Sequence, residues 1–202
     1  MRILIAVPTF ENISPETFKS IYNLKNSPGE NLDFEFVKGY DCARARNQIA
    51  NKAIDGKYDY ILMVDSDIIL PENTLLYLLE HDDDIILGSY VTKSDSSKLE
   101  LYKHGVVGYP KDARFDKNEY YNKVDCESKY RYLINGGGFG CALIKTYVFS
   151  RMKKPYFYYV DYGDETLLSE DLYFCTNARN LGFSIYTDLR VKCAHIGKVV
   201  YK

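Results

Sequence analysis

The apolar positions of this chain fall into short dense runs separated by amphipathic stretches. Arg2 to Val7 is continuous and rich in β-branched residues, the pattern of a strand covered on both faces. It stops at Pro8-Thr9-Phe10. Ser14-Pro15-Glu16 then predicts a helix start, with Ser14 as N-cap and Pro15 in the first position. Phe34 to Tyr40 reads as a second strand, and Cys42 to Ile54 as an Ala-rich helix without Gly or Pro. Tyr58 to Val64 predicts a third strand. Pro71-Glu72 opens a helix with Leu75, Leu76, Leu78 and Leu79 on its inner face, and Ile85 to Val91 is a fourth strand. This alternation predicts an α/β fold with a mainly parallel, helix-covered sheet, right-handed connections, and ligands at the carboxyl ends of the strands.

The period is lost from Thr92 to Arg131, which is polar, rich in Lys and Tyr, and punctuated by Gly105, Gly108 and Pro110. An irregular or hairpin-rich insertion lying over an active site is expected there. Beyond it, Leu133 to Ile144 carries the run Asn135-Gly136-Gly137-Gly138-Phe139-Gly140. Thr146 to Met152 predicts a short helix and Tyr156 to Val160 a strand. Ser169 to Leu181 predicts a helix capped by Ser169 and stopped by Gly182, and Phe183 to Ala194 a closing strand or pair of strands. No repeat or low-complexity linker divides the chain. One domain is expected, with the insertion at 92–131 set between segments 1–91 and 132–202.

Composition narrows the function classes. A chain of 202 residues buries a core without needing disulfides. A formal net charge of -2 supplies no global field toward nucleic acid. Cys42, Cys126, Cys141, Cys175 and Cys193 are scattered, which argues against a disulfide framework or zinc site and suits a reducing cytosol. The apolar run at Met1 to Phe10 is too short for a membrane span or signal peptide, so a cytoplasmic location without a transmembrane segment is expected.

The candidate chemistry centres on Asp65-Ser66-Asp67, where a buried strand runs into a turn. Two carboxylates one residue apart make a hard oxygen site suited to Mg²⁺ or Mn²⁺, which accept phosphate oxygens as further ligands. Arg44 and Arg46 lie two apart on a helix and so point to different sides. Glu170 and Asp171 open a helix, where acids are favoured by the dipole alone. Of three histidines, His81 beside Asp82, Asp83 and Asp84 reads as surface, His104 lies in the insertion, and His195 follows the closing apolar stretch.

The segment "YDYILMVDSDIILPENTL" resembles the metal-binding segment of GT-A fold glycosyltransferases, particularly family 2-like enzymes. The likeness extends to "ILIAVPTFEN", "ARARNQIANKA", "NGGGFGCALIK" and "LSEDLYFCTNARNLGF", in the family's order. This resemblance implies a GT-A fold with a small antiparallel portion on the acceptor side. It also implies transfer of a sugar from a nucleoside diphosphate sugar, UDP-linked, to a hydroxyl of a glycan, lipid-linked or protein acceptor. By the same resemblance Pro8, Thr9 and Glu11 contact base and ribose, and Arg46 approaches the nucleotide and the metal-site carboxylates. Asp65 lies between ribose and metal with Ser66 beside it, and Asp67 and His195 bind Mn²⁺ or Mg²⁺. Gly137, Gly138 and Glu170 flank the acceptor. Asp171 is the general base of an inverting displacement. A retaining transferase would use the same nucleotide and metal sites without that base. An inactive nucleotide-sugar or glycan-binding module is the alternative from another class. A sugar-phosphate nucleotidyltransferase ranks low, because "VPTFENISPE" contains no glycine.

Overall fold

The computed structural model describes residues 1–103, 114–122, 130–163, 167–197 and 200–201. His104, Gly105, Gly108, Pro110 and Cys126 lie outside the described residues. The first half runs β1 (Arg2–Thr9), α1 (Pro15–Tyr22), β2 (Asn31–Lys38), α2 (Cys42–Asp55), β3 (Tyr60–Val64), β4 (Ile68–Ile69), α3 (Thr74–Glu80) and β5 (Ile85–Ser89). The changed segment contributes β6 (Lys98–Tyr102), β7 (Arg114–Asp116) and α4 (Lys117–Asn122). Then come β8 (Arg131–Ile134), β9 (Gly136–Gly137), β10 (Cys141–Lys145), α5 (Thr146–Arg151), β11 (Val160–Asp161) and β12 (Leu167–Leu168). The chain closes with α6 (Glu170–Asn180), β13 (Ile185–Lys192), β14 (Ala194–Ile196) and β15 (Val200–Tyr201).

The main sheet has the order β2-β1-β3-β10-β5-β13-β8. Strands β2, β1, β3, β5 and β13 share one direction, while β10 and β8 oppose their neighbours. The expected parallel sheet is therefore mixed: antiparallel β10 separates β3 from β5. Alternation along the strands explains why they read as unbroken apolar runs. Leu4, Ala6, Ile61 and Met63 enter one core with Ile49, Phe149 and Phe174 of α2, α5 and α6. Ile3, Ile5, Val7, Leu62 and Val64 enter a second core with Ile21, Leu75 and Leu78 of α1 and α3. Among the described residues no helix is long and apolar enough to cross a membrane.

Local signals set several boundaries. Ser14 Oγ accepts from Thr17 N at 2.9 Å, and Pro15 opens α1 as expected. Pro71 does not open α3: its carbonyl accepts from the amide and hydroxyl of Thr74 at 3.0 and 2.7 Å, and this turn delays the helix. Tyr156 to Tyr159 form no strand, because Asn47 of α2 satisfies that backbone instead. Its Oδ1 accepts from Tyr156 N and Phe157 N at 2.8 and 3.3 Å, and its Nδ2 donates to Phe157 O at 2.7 Å. In the 92–131 segment β6 and β7 pair antiparallel, so a hairpin-like pairing is present. His81, expected at the surface, instead lies 2.7 Å from the buried Asp188 carboxylate. The α3 C-terminus docks on β13 there, which a linear reading does not reveal.

The glycine run owes its composition to packing. None of Gly136, Gly137, Gly138 or Gly140 has a positive φ, so left-handed backbone is not the reason for them. A Cβ on Gly137 would meet Glu100 O, Leu101 Cδ2 and Leu87 Cδ1 at 2.8 Å, and one on Gly138 would meet Tyr90 Oη at 2.1 Å. Tyr90 is buried against the loop, and its hydroxyl accepts from Gly140 N at 3.1 Å. Gly138→Ala is therefore expected to lower stability by about 1–3 kcal/mol in urea unfolding, an overpacking cost. Adding Tyr90→Phe, which removes the clashing hydroxyl, is expected to recover part of that loss.

Candidate functional site

The acidic triplet is held through its backbone by three separate elements. Asp65 N donates to Gly140 O at 3.2 Å, Ser66 O accepts from Ser14 N at 3.0 Å, and Asp67 O accepts from Ile196 N at 2.8 Å. The glycine loop, the N-cap of α1 and strand β14 thus fix where both carboxylates stand. The triplet lines a cleft of about 300 Å³ at the carboxyl ends of β1 and β3, together with Pro8, Thr9, Phe10, Tyr40, Asp41 and Cys42. Thr9 is buried, and its hydroxyl donates to Asn12 O at 2.7 Å, closing the loop after β1. Glu11 is exposed and does not line this cleft.

Beneath the cleft lies a fully buried guanidinium. Arg46 donates from Nη2 to Asp65 Oδ1 at 2.8 Å and from Nη1 to Glu170 Oε1. Burial opposes its charge, but the carboxylates of Asp65, Glu170 and Asp171 outweigh that cost and hold its pKa well above the usual value. Its position reflects the helix start: Asp41 caps α2 by accepting from Arg44 N at 2.9 Å. The two arginines then diverge, with Arg44 over the Tyr40 ring at 4.6 Å and Arg46 turned inward. Arg46 forms a buried tie between the Asp65 and Glu170 carboxylates.

Glu170 is itself buried, and that burial pushes its carboxyl above the ordinary range while the Arg46 charge opposes the shift. Asp171 follows it, half-buried in the first turn of α6. Asp171 Oδ1 accepts from Leu172 N at 2.8 Å and from Ser169 Oγ. Ser169 occupies the N-cap position with extended backbone, but its hydroxyl donates to Asp171 rather than capping the helix. Both of these bonds go to Oδ1, and Asp171 is not among the residues that line the cleft. Gly137 and Gly138 are buried between Tyr90 and β6 and do not line the cleft.

His195 reaches the triplet because β14 pairs antiparallel with β4, setting His195 opposite Ile68. Its Nδ1 lies 2.9 Å from Val91 O. A carbonyl only accepts, so Nδ1 carries the hydrogen and the neutral ring has its lone pair at Nε2. That nitrogen is 3.7 Å from Asp67 Oδ1. An imidazole oriented by a carbonyl beside a carboxylate is a donor set that suits a divalent cation. Among the described residues no group of three or more His, Cys, Asp or Glu forms such a site, so two protein ligands would need oxygens from a bound molecule to complete the shell. The Lys93 ammonium pairs with the other oxygen of Asp67.

Sequence reasoning missed several neighbours of this site. Asp41 and Tyr40 line the cleft, and an acid directly before a predicted helix is an N-cap signal that could have found Asp41. Glu100 lies on β6 beside the glycine loop, pairs with Arg114 at 3.2 Å, and has its carboxyl pushed above the ordinary range by burial. Lys93, Tyr90 and Tyr159 carried no periodic or motif signal.

No family model and no curated protein matches the chain. Its fold does match solved structures. A197 from STIV is 17% identical with a TM-score of 0.67, over 98% of this chain and 86% of that one. S. aureus TarS is 14% identical with a TM-score of 0.50, over 93% of this chain and 35% of that one, so the match spans about a third of TarS. The likeness at these identities is one of fold. The chain shares a mixed α/β fold with both.

The buried tie is directly testable. Arg46→Met leaves the Asp65 and Glu170 carboxylates without their shared cation. A loss of about 3–5 kcal/mol in urea unfolding is expected. Glu170→Gln in the same chain is expected to return part of it, since it removes one of the stranded charges.

Proposed function

We propose that this chain is a metal-dependent glycosyltransferase, acting as one catalytic domain. It moves a sugar from a UDP-linked donor to a hydroxyl of a glycan, lipid-linked or protein acceptor. The observation that carries this reading is the cleft at the carboxyl ends of β1 and β3. Pro8, Thr9, Tyr40 and Asp41 line it together with Asp65, Ser66 and Asp67. The mixed α/β fold shared with TarS agrees with it.

In this reading the base and ribose lie against Pro8, Thr9, Tyr40 and Asp41. Asp65, immobilised by Arg46, accepts from the ribose hydroxyls. Asp67 and His195 would hold Mn²⁺ or Mg²⁺, and the ion would supply positive charge to offset that of a diphosphate leaving group. Asp171 takes the proton of the acceptor hydroxyl as that oxygen attacks the anomeric carbon and the diphosphate leaves. Attack from the face opposite the leaving group inverts the anomeric configuration. Ser169 and the Leu172 amide orient Asp171 through Oδ1.

Calorimetric titration of UDP with and without Mn²⁺ tests the donor side. Asp67→Ala is expected to abolish the Mn²⁺-dependent part of nucleotide binding. Asp171→Asn is expected to keep nucleotide binding and lose transfer by at least about 100-fold, the scale of general-base catalysis. Loss of UDP binding in that variant would remove Asp171 from the role of base, and a product that keeps the donor's anomeric configuration would overturn inversion.

A further inference from the structure

The proposed metal corner already contains a cation of the chain's own. Asp67 has two oxygens with different neighbours. Oδ1 faces His195 Nε2 at 3.7 Å, and Oδ2 is held by the Lys93 ammonium. The other acid of the triplet is committed elsewhere, because Asp65 pairs with Arg46. Asp67 is therefore the triplet's carboxylate open to a soluble cation, and Lys93 is its competitor.

The position of Lys93 is set by a built turn rather than by a loose loop. Thr92 is buried, its amide donates to Lys98 O at 2.9 Å, and its hydroxyl donates to Asp95 O at 2.8 Å and accepts from Asp95 N at 2.9 Å. Ser97 N and Oγ both donate to Asp95 Oδ1, at 2.9 and 2.7 Å. Val91 precedes this turn, and its carbonyl orients His195. One short stretch, 91–93, thus fixes the imidazole tautomer and delivers an ammonium to the adjacent carboxylate. The backbone of Lys93 is anchored while its side chain is about half exposed, on a flexible four-carbon stem that can change partners.

From this we propose that Lys93 is a resident cation gating the metal corner. With the cleft empty it neutralises Asp67 and weakens binding of a free divalent cation. When a nucleoside diphosphate enters, the ammonium leaves Asp67 for the diphosphate oxygens, and the carboxylate is released to the metal. Two cations on one carboxylate repel, whereas a diphosphate supplies enough negative charge for both. Metal and nucleotide consequently bind synergistically, each favouring the other. This rests on the metal-dependent nucleotide site proposed above and adds a specificity residue to it.

The test measures binding and does not need turnover. Free Mn²⁺ is titrated into the wild-type chain and Lys93→Ala at low salt, followed by its spin-resonance signal, and UDP is then titrated at saturating Mn²⁺. Lys93→Ala is expected to bind Mn²⁺ alone roughly fivefold more tightly, the scale of one partly exposed ion pair. The same variant is expected to bind UDP with Mn²⁺ several-fold more weakly, and Lys93→Arg to stay near wild type in both titrations. Unchanged or weaker Mn²⁺ affinity in Lys93→Ala, with both chains binding Mn²⁺, overturns the inference and leaves the metal site standing. Mn²⁺ binding by neither chain, with or without UDP, overturns both. Lys93 is at the surface, and equal melting temperatures of the two chains confirm that folding is not the cause.

Discussion

The interior position of one positive charge organises this protein. Arg46 is almost wholly excluded from water, so its guanidinium must be matched by negative charge at close range. Asp65 comes from the end of β3 and Glu170 from the start of α6, 105 positions apart along the chain. Glu170 is buried with Arg46, while Asp65 reaches the guanidinium from a partly exposed position at the cleft. The pairing ties the end of β3 to the helix that carries Asp171. A helix bearing a candidate base is thereby held in a fixed relation to an acidic turn. Burial makes this tie costly to break, which is a different matter from its adding much net stability.

Around that tie, the backbone does the positioning. The amide and carbonyl bonds of Asp65, Ser66 and Asp67 reach the glycine loop, the α1 cap and β14. The turn cannot shift without breaking contacts with all three. The glycines serve the same rigidity by letting the loop lie flush against Tyr90, whose ring also meets His195 edge-on at 5.2 Å. Rigid placement matters for a hard cation or a phosphate, because both reward fixed oxygen geometry. Lys93 is the contrasting part. It pairs with Asp67 from a hydrogen-bonded turn, through a long side chain that is about half exposed.

Much of this was legible in the residue order. The strands β1 and β3 and the helices α1, α2, α5 and α6 follow from local signals: apolar runs, a Ser-Pro start, an Ala-rich stretch, and Gly182 as a stop. The triplet stood out as acids at the end of a buried strand, whereas Arg46, Glu170, Asp171 and His195 were assigned roles through the resemblance to GT-A enzymes. What escaped notice came from partners distant in sequence. Asn47 replaced a strand ladder at Tyr156 and Phe157, Asp188 drew in His81, and Tyr90 rather than a ligand dictated glycine at 138 and 140. None of those partners leaves a trace in the period of the segment it acts on.

The sequence by itself determined the elements and the residue types at their ends, because backbone preference and alternation of side chains are local properties. It also determined that two acids flank Ser66, since that spacing is covalent. Only the tertiary structure decided which charges the two acids meet. The order of the sheet brings α2 beneath β3 and lays β14 along β4, so Asp65 faces a buried arginine while Asp67 faces His195 and Lys93. Charge neutralisation acts through space over a few ångströms, and which charges come that close is settled by packing.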